Sequence, residues 1–222
     1  MARGIVGMKK ILFVSAHTKA RVPCQRFRYE QYIDHLYSQG FETTFSSILD
    51  EKDYGNFYDA DVYFKKMYIV CRGIARRLHN ILNASNYDII FIQREAFQLG
   101  GAVFEKAFSL CNAKLVFDFD DAIWVPDVSQ ANKRFAWLKK AEKTSKIISL
   151  CDMVFAGNRY LSDYASQFNS NVKIIPTTID TAQYQRVPTT RSDGRVCIGW
   201  SGSITTIKHF EIAIPFLKQI KA

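Results

Sequence analysis

The sequence lacks the features that mark membrane spans, zinc fingers and disulfide scaffolds. No run approaches the roughly 18–20 consecutive apolar residues of a membrane-spanning helix. The five cysteines are scattered and odd in number, and no two have a Cys-x-x-Cys spacing, which argues against a zinc site or a disulfide framework. We interpret them as reduced thiols buried in a cytoplasmic protein. The dinucleotide-binding pattern Gly-x-Gly-x-x-Gly is also missing.

The chain does contain enough apolar residues to build a core. Hydrophobic residues make up 48% and aromatic residues 14% of the 222 residues, which excludes a disordered tail and a collagen-like chain. At roughly 150 residues per domain, the length corresponds to about one and a half domains. The 30 Lys and Arg against 21 Asp and Glu give a net charge of +9. This excess suits an anionic partner such as phosphate, nucleic acid or an acidic membrane surface.

Short apolar runs alternate with longer helical patterns, which predicts an α/β fold with a Rossmann-like, doubly wound parallel sheet. The predicted strands are residues 10–15, 41–48, 88–92, 114–117, 153–156 and 172–175, followed by a seventh at 195–198. The helical patterns run from Gln25 to a cap at Gly40 and over residues 58–82, 100–110, 130–150 and 160–168, with a last one from about Ile207.

Two of the helical patterns have a distinct apolar face. The first, from Gln25, has apolar residues at Tyr29, Tyr32, Ile33, Leu36 and Tyr37. The second, over residues 58–82, has Phe64, Met67, Ile74, Leu78 and Ile81.

This order of elements divides the chain into three parts. We predict one complete domain over residues 8–180 and a linker over 181–195, which is poor in apolar residues. Residues 196–222 would then form the first strand, turn and helix of a second, truncated domain. That domain is expected to be incomplete, because a whole one would need about 100 residues or more.

Ligands of open parallel sheets bind beyond the carboxyl ends of the strands, so the residues that follow each strand are candidates for a site. Arg26 and Arg28 follow the first strand beside a helix N-terminus, which favours phosphate or carboxylate; the alternative is a solvated basic loop. Arg94 and Glu95 end the third strand, either as the edge of a site or as a pair that satisfies itself. Asn158 follows the fifth strand and is either a site residue or a helix N-cap.

The sharpest cluster is Asp118, Asp120 and Asp121, which end the fourth strand. Three carboxylates so close together require a metal, cationic neighbours or shared protons. Asp118 and Asp120 could hold Mg²⁺ against phosphates. Alternatively, one aspartate could orient an acceptor hydroxyl or act as a base while backbone N–H groups cap the others.

A third interpretation makes Asp118 a phosphoryl-accepting nucleophile. The run Leu-Val-Phe-Asp-Phe-Asp resembles the first motif of haloacid-dehalogenase-type phosphatases, although Ala122 stands where that family has Thr or Val.

Two further segments suggest contact with anions. Gly199, Gly202 and Ser203 belong to a small-residue turn between a predicted strand and a predicted helix, where the backbone could approach a diphosphate. The helical pattern over 130–150 is strongly basic and is either a solvated face or a contact with an anionic membrane. Its cations are Lys133, Arg134, Lys139, Lys140, Lys143 and Lys146.

Taken in order along residues 9–222, these motifs resemble the N-terminal half of a bacterial family 4 (group 1) glycosyltransferase of the GT-B fold. The matching blocks are Arg26-Phe27-Arg28-Tyr29, Gln93-Arg94-Glu95, the segment from Asp118 to Trp124, Ala156-Gly157-Asn158 with Tyr160-Leu161, the segment from Ile175 to Asp180, and Gly199-Trp200-Ser201-Gly202-Ser203.

The resemblance implies transfer of a hexosyl group from a nucleotide-diphospho-sugar to a glycan or lipid-linked acceptor, with retention and without a metal or other cofactor. It implies that Asp118, Asp120 and Asp121 lie near the reacting centre. The implied acceptor-side residues are Arg26, Arg28, Arg94, Glu95 and Asn158, and the implied donor diphosphate contacts are Gly199, Gly202 and Ser203.

The sequence departs from the family in its second domain. The Glu-x7-Glu donor motif is absent, since Glu211 has no partner downstream. We therefore expect a fragment that is inactive without a C-terminal domain and that is cytoplasmic or peripheral to the inner face of the membrane. The alternative function is a non-catalytic, anion- or membrane-binding module of Rossmann-like fold. Nucleic acid is not an expected partner, because the basic residues follow no recognised binding motif.

Overall fold

Six parallel strands form one sheet in the first of two units. The computed structural model describes residues 7–54, 63–125, 142–185, 198–202 and 207–220, and the chain divides into the units Met1–Asp180 and Thr181–Ala222. The strands are β1 (Lys9–Ser15), β2 (Phe41–Ser47), β3 (Ile89–Gln93), β4 (Lys114–Phe119), β5 (Met153–Ala156) and β6 (Val172–Ile174). Their order is β2-β1-β3-β4-β5-β6, and every pair is parallel. The predicted α/β fold with a parallel sheet is confirmed.

Helices connect the strands. Those of the first unit are α1 (Pro23–Arg28), α2 (Ile33–Ser38), α3 (Tyr63–Leu82), α4 (Val103–Ser109), α5 (Glu142–Leu150) and α6 (Arg159–Ala165). Each lies within or beside a stretch whose periodicity predicts a helix. Parts of two predicted helices, residues 58–62 and 130–141, lie outside the described residues.

The sheet is covered on both faces, as alternation along β1 shows. Leu12 and Val14 point into the larger core cluster, which includes Phe108 of α4, Ile147 of α5 and Leu161 of α6. Their neighbours Ile11 and Phe13 point into a second cluster, where they meet Tyr29 and the partly buried Ile33 and Leu36 around α2. Successive side chains of a strand point to opposite faces, so a strand covered on both faces is apolar throughout.

The strand order reverses beside β1, which is the place where ligands bind in open α/β sheets. The chain moves from β1 outward to β2 and then crosses β1 to build β3 through β6 on the other side. Register sets the ends of the central strands level, with Gln93 opposite Asp118 and Phe119 opposite Ala156. The residues that follow β3, β4 and β5 therefore emerge side by side at one edge.

The helix predicted from Gln25 is broken, which corrects the sequence-based prediction. A 3-10 turn at Glu30–Tyr32 separates α1 from α2, and Tyr29 between α1 and that turn has φ −142°. Tyr29 is buried and stacks on Phe13, with ring centroids 4.8 Å apart and an interplanar angle of 11°. Docking this ring in the core takes its backbone out of the helical region. The expected helix end at Gly40 is confirmed, since Gly40 has φ +83° directly after the cap residue of α2.

The long helix α3 turns its apolar face away from the sheet. Ile69, Gly73, Arg77 and Asn80 are buried at helical spacing. The predicted apolar face lies largely on the opposite side, where the exposed residues include Phe64, Met67, Tyr68, Ile74, Leu78 and Leu82. An amphipathic helix of a globular domain usually has the reverse orientation.

Arg77 fastens the buried side of α3 to the sheet. Its guanidinium donates to the backbone carbonyls of Ser15 (2.6 Å) and Ser46 (3.2 Å) and to the hydroxyl of Ser46 (2.8 Å). A Cβ at Gly73 would lie 2.9 Å from Ile48 Cγ2, so the absence of a side chain there lets the helix approach the residue after β2 closely.

The second unit contains two short helices, α7 (Ile207–Glu211) and α8 (Ile214–Ile220). A helix beginning at Ile207 agrees with the prediction. Most of the predicted strand at 195–198 lies outside the described residues, and Ile198 itself is not in a strand. Trp200 and Phe210 lie in contact, with ring centroids 5.7 Å apart.

Candidate functional site at the carboxyl ends of the strands

Two arginines and three aspartates meet at the carboxyl edge of the sheet. The set, here called the strand-end cluster, consists of Arg28, Arg94, Asp118, Asp120 and Asp121. Arg28 comes from the helix after β1, Arg94 follows β3, and the aspartates lie at and just after the end of β4. Every member is a residue that the sequence singled out, and the fold brings all five together.

The inner part of the strand-end cluster is an ion pair between Arg28 and Asp118. The Arg28 Nε donates to Asp118 Oδ2 at 3.2 Å, and its Nη2 donates to Oδ1. A third donor, Nη1, bonds the backbone carbonyl of Ile175. Both side chains are almost completely buried. The pair is shielded from solvent and joins α1 to the end of β4.

The outer part is accessible to solvent. Arg94 Nε donates to Asp120 Oδ1 at 3.0 Å, and Arg94 Nη2 contacts both Asp120 (2.9 Å) and Asp121. The Asp120 side chain is 15% exposed and that of Asp121 is 66% exposed. Asp121 is therefore the member of the strand-end cluster that a ligand can reach most easily, followed by Arg94 at 32% exposed, and Asp120 is only partly accessible.

Arg94 reaches Asp120 from a strained backbone conformation. Its φ is +64°, in the left-handed region that residues with a side chain rarely adopt. Its N–H donates to the carbonyl oxygen of Asp118 at 2.8 Å, which extends the β3–β4 pairing by one residue. Strain of this kind costs on the order of 1–3 kcal/mol and is concentrated at functional sites.

Burial and neighbouring charges shift the pKa values of Asp118 and Arg94 in the strand-end cluster. Burial raises the pKa of the Asp118 carboxyl above its ordinary value, and the hydrogen bond and charge of Arg28 oppose that rise. For Arg94, burial by itself lowers the pKa, but Asp120 and Asp121 raise it, and the net direction is upward. Arg94 therefore stays protonated, and two arginines against three aspartates leave the strand-end cluster one net negative charge when all five are ionised.

Gly157 allows the end of β5 to pass close to the strand-end cluster. A Cβ at this position would lie 3.1 Å from Asp120 Cα and 3.6 Å from Arg28 Nη1. The Gly157 N–H donates to the carbonyl oxygen of Phe119 at 3.0 Å, which ties the loop after β5 to the end of β4. The φ of Gly157 does not lie in the left-handed region, so glycine is required here by the close packing and not by its backbone conformation.

Asn158 serves as the N-cap of α6. Its side-chain oxygen accepts the N–H of Leu161 at 3.0 Å, which is the capping role that the sequence offered as one of two alternatives. Glu95 is paired with Lys143 Nζ at 2.9 Å rather than with Arg94. The Lys143 side chain is buried and also donates to the carbonyl of Phe97, so this pair anchors α5 to the loop after β3.

The remaining predicted site residues lie elsewhere. Arg26 is half-buried, with its guanidinium carbon 5.3 Å from the centre of the Phe27 ring, and has no ion pair with the described residues. Gly199 and Gly202 are exposed in the second unit, and a Cβ on Gly199 would meet nothing within 4 Å. Ser203 lies outside the described residues, as do the basic residues Lys133, Arg134, Lys139 and Lys140.

Sequence reasoning missed His17 and Cys24, which adjoin the strand-end cluster. The pKa of His17 is lowered by burial and by the charge of Arg94, and burial raises the pKa of the Cys24 thiol. His17 Nδ1 lies 3.2 Å from the Tyr54 hydroxyl, and its backbone N–H donates to the side chain of Gln25. The signal was available, because His17 follows β1 at the same carboxyl edge as the other site residues.

The geometry distinguishes the sequence-based interpretations of the three aspartates. The negative charges of the three carboxylates are offset by cationic neighbours: Arg28 pairs with Asp118, and Arg94 pairs with Asp120 and Asp121. Among the described residues no group of three or more His, Cys, Asp or Glu side chains is arranged to hold a metal ion. Asp118 is too deeply buried in this structure to receive a phosphoryl group. An anion site at Arg28 is likewise unsupported, because Asp118 already neutralises that arginine.

The fold and this geometry define a parallel α/β protein with a polar site at its topological switch point. Comparison of the sequence with protein-family models and with curated proteins found no match.

Proposed function

We propose that the chain is the acceptor-binding half of a glycosyltransferase of the GT-B type, which transfers a hexosyl group from a nucleotide-diphospho-sugar to a glycan or lipid-linked acceptor. The observation that carries the proposal is the pair of carboxylates held by Arg94 at the strand edge, with Asp121 exposed and Asp120 partly accessible. The ordered resemblance of the motifs to family 4 enzymes points the same way. A site with one net negative charge suits the hydroxyls of a sugar better than a phosphate.

In the proposed reaction, Asp120 accepts a hydrogen bond from the acceptor hydroxyl and orients it. The acceptor oxygen bonds to the anomeric carbon of the donor on the face from which the diphosphate leaves, as the bond from that carbon to the diphosphate breaks, so configuration is retained. The electron pair goes to the diphosphate, and the acceptor proton leaves to a base, for which Asp120 is the candidate. Asp121 provides a second acceptor of hydrogen bonds, and Arg94 fixes both carboxylates.

The other predicted residues take supporting roles in this proposal. Arg28 and Asp118 position the loop after β4, and Glu95 positions α5 through Lys143. Asn158 caps α6 beside the site. Arg26 lies on the same short helix as Arg28, and in this proposal it contacts a more distant part of the acceptor.

Donor binding is assigned to a second domain that begins after the linker. Gly199, Gly202 and Ser203 would face the diphosphate there, and stabilising the leaving charge is what such a turn contributes. The proposed reaction retains configuration at the anomeric carbon and uses no metal, as in the family that the motifs resemble. A cytoplasmic location agrees with a nucleotide sugar as donor.

The test begins with the reading frame. We would sequence the transcript past codon 222 and express its whole product. Transfer is then assayed with radiolabelled UDP-glucose, UDP-N-acetylglucosamine and GDP-mannose on lipid and glycan acceptors.

Asp120→Asn should lower transfer by about 100-fold or more, the usual range for loss of a general base. The matched control is Glu42→Gln, which removes a carboxylate from β2, whose ion pair with Lys10 (3.7 Å) is half-exposed at the other end of the strands. Equal transfer by Asp120→Asn and the parent, or no transfer from any donor by the whole product, would refute the proposal.

A further inference from the structure

We infer that three stacked rings beside the strand-end cluster bind a neutral sugar ring. This set, here called the aromatic platform, consists of Trp124, Tyr160 and Tyr164. The inference deepens the proposed function and rests on it in one respect, because the sugar bound there would be the acceptor. The binding itself is argued from the stacking of the rings, their exposure and the charges around them. None of these rings has a part in the reaction proposed above.

The aromatic platform forms where the loop after β4 meets α6. The ring of Trp124 stacks on that of Tyr164, with centroids 3.7 Å apart and an interplanar angle of 5°. The ring of Tyr160 lies 5.9 Å from that of Trp124, at an angle of 29°. Phe119 of β4 supports the stack from below, since its ring meets Trp124 edge to face at 6.1 Å. The platform is therefore a layered stack of nearly parallel rings on a buried base.

The aromatic platform opens to solvent at Tyr160. This residue is 65% exposed, whereas Phe119 is completely buried. Trp124 and Tyr164 are half-buried. Tyrosine and tryptophan provide a large contact area that loses little conformational entropy when a ligand binds, because each has only two side-chain torsions. A stack that is anchored on one side and accessible on the other has the form of a binding surface.

The aromatic platform adjoins the strand-end cluster on both of its loops. Trp124 is three residues from Asp121, and three residues span at most about 11 Å even in a fully extended chain. The chain turns within this segment, because the N–H of Ile123 donates to the carbonyl of Asp121 at 2.8 Å. Tyr160 follows Gly157, whose N–H is bonded to the end of β4. One ligand can therefore contact the rings and the exposed carboxylate together.

A pyranose ring matches this combination of groups. Its C–H bonds lie on the faces of the ring, and its hydroxyls radiate from the edge. The face of an aromatic ring is the negative part of its quadrupole, so it attracts polarised C–H groups. The carboxylate of Asp121 is 66% exposed and accepts hydrogen bonds from hydroxyls. A sugar that lies on Tyr160 would direct hydroxyls of its edge towards Asp121.

The charges around the aromatic platform argue against a ligand that carries phosphate. The strand-end cluster has one net negative charge when its members are ionised. Arg159, which precedes Tyr160, pairs with Asp163 at 2.8 Å, so α6 adds no net charge. Nucleobases also stack on aromatic rings, but nucleic acids are bound where the surrounding groove is positive. A neutral ligand avoids the repulsion that a phosphate would meet here.

The geometry of the rings also separates a sugar from a quaternary ammonium group. Aromatic cages hold such cations with the faces of several rings directed at the charge. In the aromatic platform the rings lie nearly parallel, and the contact of Tyr164 at 3.7 Å closes one face of Trp124. Such a flat stack offers an outer face rather than an enclosing box, which suits a flat ligand.

The aromatic platform differs in its setting from the aromatic belts of membrane proteins. Those belts lie at the ends of spanning segments, at the level of the lipid headgroups. α6, which carries Tyr160 and Tyr164, has seven residues. In the part of the chain that the structure describes, no helix is long and apolar enough to cross a membrane.

The test measures the binding of disaccharides to the chain without any donor. The probes are cellobiose, maltose, lactose and N,N′-diacetylchitobiose, because two linked rings can lie on the aromatic platform and reach Asp121. Trp137→Phe and Trp200→Phe are introduced first, so that Trp124 is the one tryptophan left and its fluorescence reports on the platform. We expect at least one disaccharide to change this fluorescence with millimolar affinity. Circular dichroism verifies that each variant is folded.

Two variants of Tyr160 separate the ring from its hydroxyl. Tyr160→Ala should weaken binding by about tenfold, because the stacking is lost. Tyr160→Phe keeps the ring and should bind like the parent. The matched control is Tyr37→Ala, since Tyr37 on α2 is 67% exposed and Tyr160 is 65% exposed. This control should also bind like the parent.

The contribution of the carboxylate is measured in the same way. Asp121→Asn should weaken disaccharide binding by about fivefold, because a hydroxyl bonds a charged oxygen more strongly than an amide oxygen. Asp34→Asn changes an exposed carboxylate of α2 by the same chemistry and should leave binding unchanged.

Three results would overturn the inference. The first is the absence of a fluorescence change with all four disaccharides. The second is equal loss of binding in Tyr160→Ala and Tyr37→Ala, or a loss in Tyr160→Phe as large as that in Tyr160→Ala. The third is tighter binding of tetramethylammonium or uridine monophosphate than of every disaccharide, which would make a cation or a nucleotide the ligand.

The outcome for the aromatic platform is separate from that for the transferase. Disaccharide binding that depends on Tyr160, together with no transfer by the whole product, would refute the proposed reaction and leave a sugar-binding platform. Transfer by the whole product without any effect of Tyr160→Ala on disaccharide binding would do the reverse.

Discussion

Arg28 and Asp118 lie 90 residues apart in the sequence, yet they form a bidentate ion pair from which solvent is almost completely excluded. The pair joins the helix after β1 to the end of β4, across the position where the strand order reverses. Removing two charges from water is costly, so a pair of this kind depends on both partners being present. Its arrangement fixes the loop from which Asp120 and Asp121 reach solvent.

Loss of either partner should destabilise the protein strongly. We expect Asp118→Asn to lower the free energy of unfolding by about 3–5 kcal/mol, because Arg28 would remain buried without its counter-charge. Urea unfolding followed by circular dichroism measures this. Asp163→Asn is the control, because Asp163 pairs with Arg159 at 2.8 Å on an exposed helix face. That change should cost about 0.5 kcal/mol. A similar cost for both variants would show that the buried pair does not hold the edge together.

The energetic cost of the left-handed backbone conformation at Arg94 can be measured separately from the contribution of its side-chain contacts. Arg94→Ala and Arg94→Gly both remove the contacts to Asp120 and Asp121, but only glycine adopts φ +64° without strain. We therefore expect the glycine variant to be more stable than the alanine variant by about 1 kcal/mol.

The same two substitutions, made at a position with ordinary helical backbone, serve as the reference. At exposed Lys106 within α4 the order should reverse, with alanine more stable than glycine by about 1 kcal/mol. Chemical denaturation of all four proteins makes the comparison. The same order at both positions would contradict the strain at Arg94.

A side chain at Gly157 should disturb the strand-end cluster. Gly157→Ala would place a methyl group 3.1 Å from Asp120 Cα, and we expect a loss of about 1–3 kcal/mol in the free energy of unfolding as the loops move apart. Gly101→Ala is the matched control, since a Cβ there meets nothing within 4 Å. Thermal unfolding of both variants tests the prediction, which fails if the two are equally stable.

Glu105 should make stability depend on pH. It is buried in α4, where its Oε1 accepts the N–H of Ala96 at 2.9 Å and its Oε2 has no hydrogen-bond partner among the described residues. Burial raises the pKa of this carboxyl, and the charge of Lys143 opposes the rise. The folded state therefore binds the proton more tightly than the unfolded state does. The contribution of Glu105 to stability is therefore greatest below the unfolded pKa of about 4.3 and falls as the pH rises through the folded pKa.

Glu105→Gln removes this fall because the amide does not ionise. Between about pH 4 and pH 7 we expect the stability of the variant relative to the parent to increase by on the order of 1 kcal/mol. Urea unfolding at several pH values gives both curves. Parallel curves for variant and parent would show that Glu105 ionises in the fold as easily as in the unfolded chain.

The sequence by itself predicted the sheet because each strand carries its own local signal. β1, β3 and β4 are short apolar runs between polar segments, and a strand covered on both faces has no other composition available to it. The rule that parallel strands bind ligands at their carboxyl ends then placed Arg94, Asp118 and Asp120 in one candidate site before any contact was known.

The separate roles of those residues could not be predicted, because they depend on distances between strands. Arg28 and Asp118 have the same residue types as Arg94 and Asp120, and both pairs follow strands. Only packing buries the first pair and leaves the second accessible. Similarly, Glu95 could have paired with its neighbour Arg94, and the position of α5 assigns it to Lys143 instead.

The sequence also predicted an amphipathic helix over residues 58–82, since amphipathicity depends only on spacing along the chain. It could not determine which face turns inward. Periodicity shows that polar and apolar residues lie on opposite sides, but the direction is decided where Arg77 donates to the carbonyls of Ser15 and Ser46 at the ends of β1 and β2. Those hydrogen bonds join residues that are separated by 62 and by 31 positions in the sequence, and a local pattern has no influence over such distances.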